Sequence, residues 1–224
     1  SAIPTYRLCQ LARERVTVAL SGDGADEMLA GYTRYRFHMA EQKARQVIPG
    51  AIRRPLFGFL GAVYPKADWA PRWLRAKSAF QSLATDTLQG YFNTVSLMGD
   101  DVRGALFSAD FRRDLGGYGA LQVFRDHLAS QPQSDPLSLA TFLDVKTYLP
   151  GDILTKVDRA SMAASLEARV PLLDHRVVDF AWGLPFEWKR NQTQSKRILK
   201  DVLYRHVPKS LLDRPKVGFG VPLD

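Results

Sequence analysis

The sequence predicts an α/β fold in which most of the 224 residues are helical. Val16, Val18 and Leu20 belong to a short apolar run rich in β-branched residues, which is typical of a strand buried on both faces of a parallel sheet. A polar turn containing two glycines follows this run, and a helical pattern begins directly after it. Nearly every later segment has apolar residues at helical spacing, so we expect one recognisable strand and many helices.

The segments before and after this strand are predicted from their apolar spacing and their prolines. Thr5 to Arg15 predicts a helix in which the single cysteine, Cys9, is a small buried residue. Beyond the turn, the helix that starts at Ala25 is expected to continue with one apolar face, formed by Met28, Leu29, Tyr32 and Tyr35. Later helices are expected at 40–65, with breaks at Pro49-Gly50 and at Pro55, then from Pro71, at 87–98 and at 119–130.

The last part of the chain is also read as helical. A helix over 136–149 is expected to end at Pro150-Gly151, and Asp152 is expected to cap a new helix over 153–166. Glu167 and Arg169 stand two residues apart at an expected bend, where we interpret them as a structural pair. Asp174 is predicted to cap the helix that follows it, and a further helix is expected over 195–207.

The turn after the strand is the first candidate site. It consists of Ser21, Gly22, Asp23 and Gly24, whose glycines allow unusual backbone angles and close approach of another group. A helix start behind such a turn favours a phosphate or another anion. The presence of the acids Asp23 and Asp26 at such a place would be explained by bound Mg2+, because this ion takes one or two carboxylates together with phosphate oxygens. The alternative is structural, with Asp23 as a helix cap and Asp26 and Glu27 as complements to the helix dipole.

Five strings of the sequence resemble the signatures of one enzyme family. LSGDGADE is followed by GYTRYR, and further along the chain come GDILTKVDRASMAASLEARVPLLDHRVVDFAWGLP, SKRILKDVL and RPKVGFGVP. In this order they resemble the synthetase domain of the asparagine synthetase family, which activates a carboxylate with ATP and transfers ammonia to it. The resemblance covers nearly the whole chain and is weakest over 40–130.

The resemblance implies a fold and a division of the chain. The fold is the C-terminal part of a Rossmann-like adenine-nucleotide α-hydrolase (PP-loop ATPase) domain followed by a helical region. Residues 1–38 would be the remnant of the nucleotide-binding α/β domain, and residues 39–224 would be the mainly helical remainder of the same synthetase domain. The family's SGGxDS pyrophosphate loop and its glutaminase domain have no counterpart in this sequence. The chain is therefore expected to be a C-terminal fragment, inactive by itself.

The resemblance also implies roles for individual residues, with ATP and Mg2+ as cofactors. Asp26 matches a Mg2+ ligand, Asp23 lies on the side of the substrate or ammonia, and Lys196 matches a basic position near the phosphates. Lys216 matches a lysine that stabilises the transition state, as the charge that develops during adenylation requires. The pyrophosphate-facing turn would be shaped by Ser21, Gly22 and Gly24.

The substrates implied are aspartate or a similar carboxylate, ATP and ammonia derived from glutamine. One alternative keeps this chemistry with another acceptor, as in amidotransferases of surface-polysaccharide clusters. The β-lactam-forming branch carries a tyrosine at the position of Asp23, so the acid argues against that branch. A third alternative is a non-catalytic helical interaction module in which the signatures persist only as packing.

Composition and charge limit the function classes. No apolar stretch approaches the roughly 18 residues of a membrane span, and one cysteine excludes a disulfide scaffold and suits a cytoplasmic protein. The net charge is +8, and residues 41–80 hold eight lysines and arginines against two acids, a local net charge of +6. No nucleic-acid-binding motif accompanies this basic segment, so we expect a solvated surface or a contact with another domain rather than nucleic acid. The oligomeric state is left open.

Overall fold

A computed structural model describes residues 1–65, 76–133, 135–191 and 194–213. Fifteen helices and two short strands are found in these ranges, together with one π-helical and one 3-10 segment. The first elements are α1 (Ala2–Arg13), β1 (Val18–Leu20), α2 (Ala25–Met28), α3 (Thr33–Val47), α4 (Gly50–Val63), α5 (Lys77–Ala84), α6 (Thr87–Val95), α7 (Asp100–Leu106), α8 (Ala109–Asp114) and α9 (Leu121–Ser130). The others are α10 (Pro136–Lys146), a π-helix (Leu149–Leu154), α11 (Thr155–Ala163), β2 (Glu167–Arg169), a 3-10 turn (Pro171–Leu173), α12 (His175–Gly183), α13 (Phe186–Lys189), α14 (Arg197–Leu203) and α15 (Lys209–Leu212).

The chain divides into two compact units. The first unit contains Ser1–Tyr32 and the described residues from Thr141 onward, and the second contains Thr33–Ala140. This predominance of helix around a small parallel sheet confirms the α/β class. In the described part of the chain, no helix is both long enough and apolar enough to cross a membrane.

The sheet of the first unit has two strands. β1 pairs in parallel with β2, in the register Val18 with Glu167 and Leu20 with Arg169. The expectation of a strand buried on both faces is wrong, because Val18 is 37% and Leu20 is 75% exposed and two short strands cannot cover two faces. The bend expected around Glu167 is wrong as well: this segment is β2, and Arg169 Nε donates to Glu167 Oε1 at 2.7 Å on its exposed surface.

Two hydrophobic clusters stabilise the first unit. Cys9, Ala160 and Leu166 join α1 to α11 and β2, which confirms the buried cysteine. Met28, Leu29 and Ala181 form the second cluster, against which Val145, Val178, Leu184, Ile198 and Leu199 pack. These contacts place α2 beside α12 and α14, the elements that bring distant parts of the sequence to the turn after β1.

Three sequence expectations fail along the helices. Pro150-Gly151 does not end a helix but lies within the π-helix that leads into α11, and Asp152 lies in that segment too instead of capping a helix. Gly151 N still donates to Thr147 O at 2.9 Å, so the backbone hydrogen bonds continue around the proline. Pro55 lies inside α4 without breaking it, whereas the break at Pro49 is confirmed, as is the cap at Asp174, whose carboxylate accepts from Arg176 N at 3.0 Å.

The second unit is a helical body with buried polar groups. Its core includes Tyr35, Tyr91, Phe92 and Phe124. The guanidinium of Arg45 donates to Ser82 O at 2.7 Å, and Arg53 donates to Thr85 O at 2.8 Å and to the carbonyl of Leu83. Two cations of the basic segment are therefore buried and bind backbone carbonyls, so they do not form a basic surface. The helix expected from Pro71 lies outside the described residues.

Candidate active site

The turn after β1 is anchored to the sheet. Ser21 N donates to Arg169 O at 2.7 Å, which extends the pairing of β1 and β2 by one residue. Ser21 Oγ donates to Asp23 Oδ2 at 2.5 Å. Gly24, rather than Asp23, is the N-cap residue of α2, and it makes no side-chain cap. The capping alternative for Asp23 is therefore wrong.

The two glycines of the turn differ. Gly24 has a φ of 85°, so the backbone favours glycine, and a Cβ built there would lie 2.3 Å from Leu173 Cδ2 and would displace that side chain. Gly22 has no positive φ, and no atom of the described residues lies within 4 Å of the position of a Cβ. The unusual backbone expected for both glycines is confirmed only for Gly24.

α2 is a single turn of four residues, so the prediction of one long helix from Ala25 to Tyr35 is wrong. The chain leaves α2 through Ala30, whose φ is 52°, and enters α3 at Thr33. A single turn of helix has only a small macrodipole, so the N-terminus of α2 contributes little to the binding of an anion.

Asp26 lies at the centre of the site. Gly31 N donates to Asp26 O at 2.8 Å, and a Cβ built on Gly31 would lie 1.8 Å from Asp26 Oδ1. The Asp26 carboxylate is therefore packed against the turn of residues 30–32, and no larger residue fits at position 31 without a shift. The side chain of Asp26 is 26% exposed, so it remains accessible from one direction.

Lys196 supplies the positive charge of the site. It precedes α14 with a left-handed backbone, φ 53° and ψ 42°, and its Nζ lies 3.2 Å from Asp26 Oδ1. The two positions, 170 residues apart in the sequence, were predicted separately as a metal ligand and a phosphate-binding lysine, and the structure brings them into direct contact. Ala30 and Lys196 are two of the three non-glycine residues with positive φ in the described chain, and strain of this kind clusters at functional sites.

Sequence reasoning missed the residues behind this pair. Glu27 is 1% exposed, and its Oε1 accepts from Tyr32 Oη at 2.7 Å. Burial raises the pKa of Glu27, and the hydrogen bond from Tyr32 partly offsets that rise. Burial, and then the bond to Glu27, raise the pKa of the Tyr32 phenol. Arg190, 9% exposed, donates from Nη1 to Ala30 O at 3.1 Å and to Tyr32 O at 3.2 Å.

Asp26 and Lys196 are residue types that suit a nucleotide with bound Mg2+. Among the described residues, no group of three or more histidine, cysteine, aspartate or glutamate side chains is placed to hold a metal ion. The partly exposed carboxylate of Asp26 is nonetheless a ligand that suits Mg2+, since this ion takes one or two carboxylates and completes its shell with phosphate oxygens and water. Lys216, predicted to stabilise the transition state, lies outside the described residues.

Comparison with known proteins identifies the family of this chain. The family model for asparagine synthase matches residues 1–224. Asparagine synthetase [glutamine-hydrolyzing] 1 of Bacillus subtilis is 32% identical over 227 residues, which cover 100% of this chain and 33% of that protein. A putative asparagine synthetase [glutamine-hydrolyzing] of Mycobacterium tuberculosis H37Rv is 35% identical over 99% of this chain and 32% of its own length. The chain thus spans about a third of the length of these relatives. No solved structure gives a significant match.

Proposed function

The chain belongs to the asparagine synthase family, and we propose that the complete protein is an ATP- and Mg2+-dependent carbon–nitrogen ligase of the amidotransferase type. In the proposed reaction a carboxylate attacks the α-phosphorus of ATP and pyrophosphate leaves. Ammonia then attacks the acyl adenylate, AMP leaves, and the amide and a proton are released. Aspartate is the proposed carboxylate and glutamine the proposed source of ammonia, because the relatives' names contain asparagine and glutamine hydrolysis.

The observation that carries this proposal is the contact between Asp26 and Lys196 at the end of β1. Asp26 is the proposed Mg2+ ligand, and bound Mg2+ would neutralise charge on the phosphates and the leaving pyrophosphate. Lys196, whose Nζ lies 3.2 Å from that carboxylate, is proposed to bind a phosphate oxygen of the same nucleotide. A cation and an anion side by side suit a negatively charged ligand that carries its own metal ion.

The other predicted residues have proposed roles around this pair. Ser21, Gly22 and Gly24 shape the turn that faces the phosphates. Asp23 Oδ2 is held by the Ser21 hydroxyl, which suits an acid that must face the substrate or ammonia in one orientation. Lys216 is proposed from the family resemblance to stabilise the charge that develops in the transition state.

The division of the chain belongs to the same proposal. Residues 1–38 are the proposed nucleotide-binding remnant, and residues 39–224 the mainly helical remainder of the synthetase domain. A glutaminase domain would supply ammonia in the complete protein. The proposed location is the cytoplasm, and no nucleic-acid or membrane partner is proposed.

The test is the full-length protein with Asp26→Asn. We expect amide formation from aspartate, ATP and ammonia to fall at least about 100-fold, as for loss of one electrostatic stabiliser. Asp213→Asn is the matched control, because Asp213 Oδ1 also lies beside a lysine, 3.3 Å from Lys200 Nζ, in an exposed pair with no proposed ligand. An Asp26→Asn rate within about threefold of wild type, or about 0.65 kcal/mol, would contradict the metal-ligand role. The same assay with other carboxylates in place of aspartate identifies the acceptor.

A further inference from the structure

Arg190 joins two parts of the candidate site that are far apart in the sequence. Its side chain, 9% exposed, reaches the turn that follows α2 and donates to the carbonyls of Ala30 and Tyr32 at 3.1 and 3.2 Å. A guanidinium is buried at a high desolvation cost, so this one is retained in the interior by hydrogen bonds such as these two. No family signature in the sequence includes Arg190, which lies between the strings that end at Pro185 and begin at Ser195.

The turn that Arg190 holds is the surface against which Asp26 rests. Ala30 has a φ of 52°, a backbone that alanine seldom adopts without support from its surroundings. Gly31 packs on the Asp26 carboxylate, and its N–H donates to Asp26 O at 2.8 Å. The Tyr32 hydroxyl donates to Glu27. Displacement of this turn would therefore move the Asp26 carboxylate.

The backbone of Arg190 reaches the other half of the pair. Arg190 forms an antiparallel bridge with Ser195, the residue directly before Lys196. Lys196 has the second strained backbone of the site, with a φ of 53°, and this conformation aims its side chain at Asp26. Arg190 thus contacts the 30–32 turn, which packs against the Asp26 carboxylate, through its side chain. It contacts Ser195, which precedes Lys196, through its main chain.

We propose that Arg190 is a positioning residue that sets the distance between Asp26 Oδ1 and Lys196 Nζ. Its guanidinium holds the 30–32 turn behind Asp26, and its bridge to Ser195 fixes the start of the segment that carries Lys196. Glutamine is too short to reach both carbonyls and has no charge, whereas lysine keeps the charge on a compact ammonium without the planar fork. The consequence for catalysis rests on the proposed function, but the consequence for the ion pair does not.

The experiment measures the ion pair directly. Full-length protein is treated with an amine-acetylating reagent, and the labelling rate of each lysine is read by mass spectrometry. An ammonium that contacts a carboxylate and is only 22% exposed is less accessible to the reagent, so in Arg190→Gln we expect Lys196 to be acetylated at least about threefold faster than in wild type, a ratio within the measured strength of partly exposed ion pairs. Lys200, 3.3 Å from Asp213, is the internal control and should keep its rate.

Arg53→Gln is the matched variant, because Arg53 is also buried and also donates to two carbonyls, those of Leu83 and Thr85, which are not part of the site. It should leave the labelling of Lys196 unchanged. In Arg190→Lys, Lys196 should be acetylated at a rate between those of wild type and Arg190→Gln. This variant replaces Arg190→Gln in the experiment if the glutamine variant does not fold. Equal labelling of Lys196 in all proteins, or an equal rise at Lys196 and Lys200, would overturn the proposal.

Activity separates this inference from the proposed function. If both hold, Arg190→Gln raises the Mg2+·ATP concentration needed for half-maximal amide formation, and Arg53→Gln does not. If Lys196 labelling rises as expected while the wild-type protein forms no amide from any carboxylate, the proposed function fails and the positioning role stands. If the wild-type protein is active and Lys196 labelling does not change in Arg190→Gln, the proposed function stands and the positioning role fails.

Discussion

Gly31→Ala tests the packing of Asp26 more sharply than any change to Asp26 itself. The added methyl group would lie 1.8 Å from Asp26 Oδ1, 2.7 Å from Asp26 Cγ and 2.9 Å from Asp26 Cα. Rotation of the aspartate side chain can relieve the first two contacts but not the third, because the Cα is part of the backbone of α2. The turn or α2 must therefore move.

The expected magnitude follows from the kind of clash. Overpacking of a filled site costs about 1–3 kcal/mol, and Gly31 has no positive φ that would add strain to this cost. For a chain of about 150–250 residues that unfolds in one step, each kcal/mol lowers the unfolding midpoint by roughly 2–4 °C. We also expect a rise in Lys196 acetylation, because the carboxylate that holds the amine is displaced. Both effects are measured on the full-length protein, by scanning calorimetry and by mass spectrometry.

Gly58→Ala is the control for this change. Gly58 lies within α4, and apart from its chain neighbours and the adjacent helix backbone no atom of the described residues lies within 4 Å of an added Cβ. Alanine has the higher helix propensity, so this variant should be neutral or up to about 1 kcal/mol more stable. The two substitutions add the same methyl group with opposite expected signs. If Gly31→Ala has the same unfolding midpoint and the same Lys196 labelling as wild type, the placement of Asp26 against the turn is refuted.

Three further predictions concern charge. Lys196→Met in the full-length protein should raise the KM for ATP at least about tenfold with little change in the KM for the acceptor, and an unchanged KM for ATP would contradict its phosphate role. Lys216→Ala should lower kcat about 100-fold with little effect on either KM, since charge that develops only in the transition state affects the rate and not ground-state binding. Burial, and then the charge of Arg45, lower the pKa of His38 from 6.5 to about 4, so the folded state binds fewer protons than the unfolded state. The free energy of unfolding is therefore not reduced by His38 above pH 6.5, and it should fall by about 3 kcal/mol as the pH drops from 6.5 to 4. In urea unfolding, His38→Gln should make this pH dependence weaker, whereas replacement of the exposed His175 by glutamine should leave it unchanged.

The sequence predicted the parts of the fold whose signal is local. The helix around Cys9, the cap at Asp174 and the break at Pro49 each follow from a few neighbouring residues, and each is confirmed. β2 was missed because Glu167–Arg169 is three residues long and polar at two of them, so it has no strand signal of its own and forms only by pairing with β1. The local spacing around Pro150 predicted a helix end, but a π-helix absorbs the proline within a continuous segment.

The break between α2 and α3 shows where local reasoning stops. Met28, Leu29 and Tyr35 do lie in the interior, so the apolar residues were identified correctly although the single helix was wrong. The chain turns at Ala30 because Arg190, 160 residues away, binds the carbonyl of that residue, and because Glu27 accepts the hydroxyl of Tyr32. Neither contact has a signal in the spacing of residues 25–35.

The same distinction applies to the site. The signatures identified Asp26 and Lys196 as separate positions, and their contact at 3.2 Å depends on two strained backbones, at Ala30 and Lys196, each of which costs about 1–3 kcal/mol unless its surroundings enforce it. The bonds from Arg190 to the 30–32 turn and its bridge to Ser195 are described contacts that support both. A variant with intact signatures but an altered residue 190 should therefore keep every predicted ligand of the site and lose the geometry that lets two of them act together.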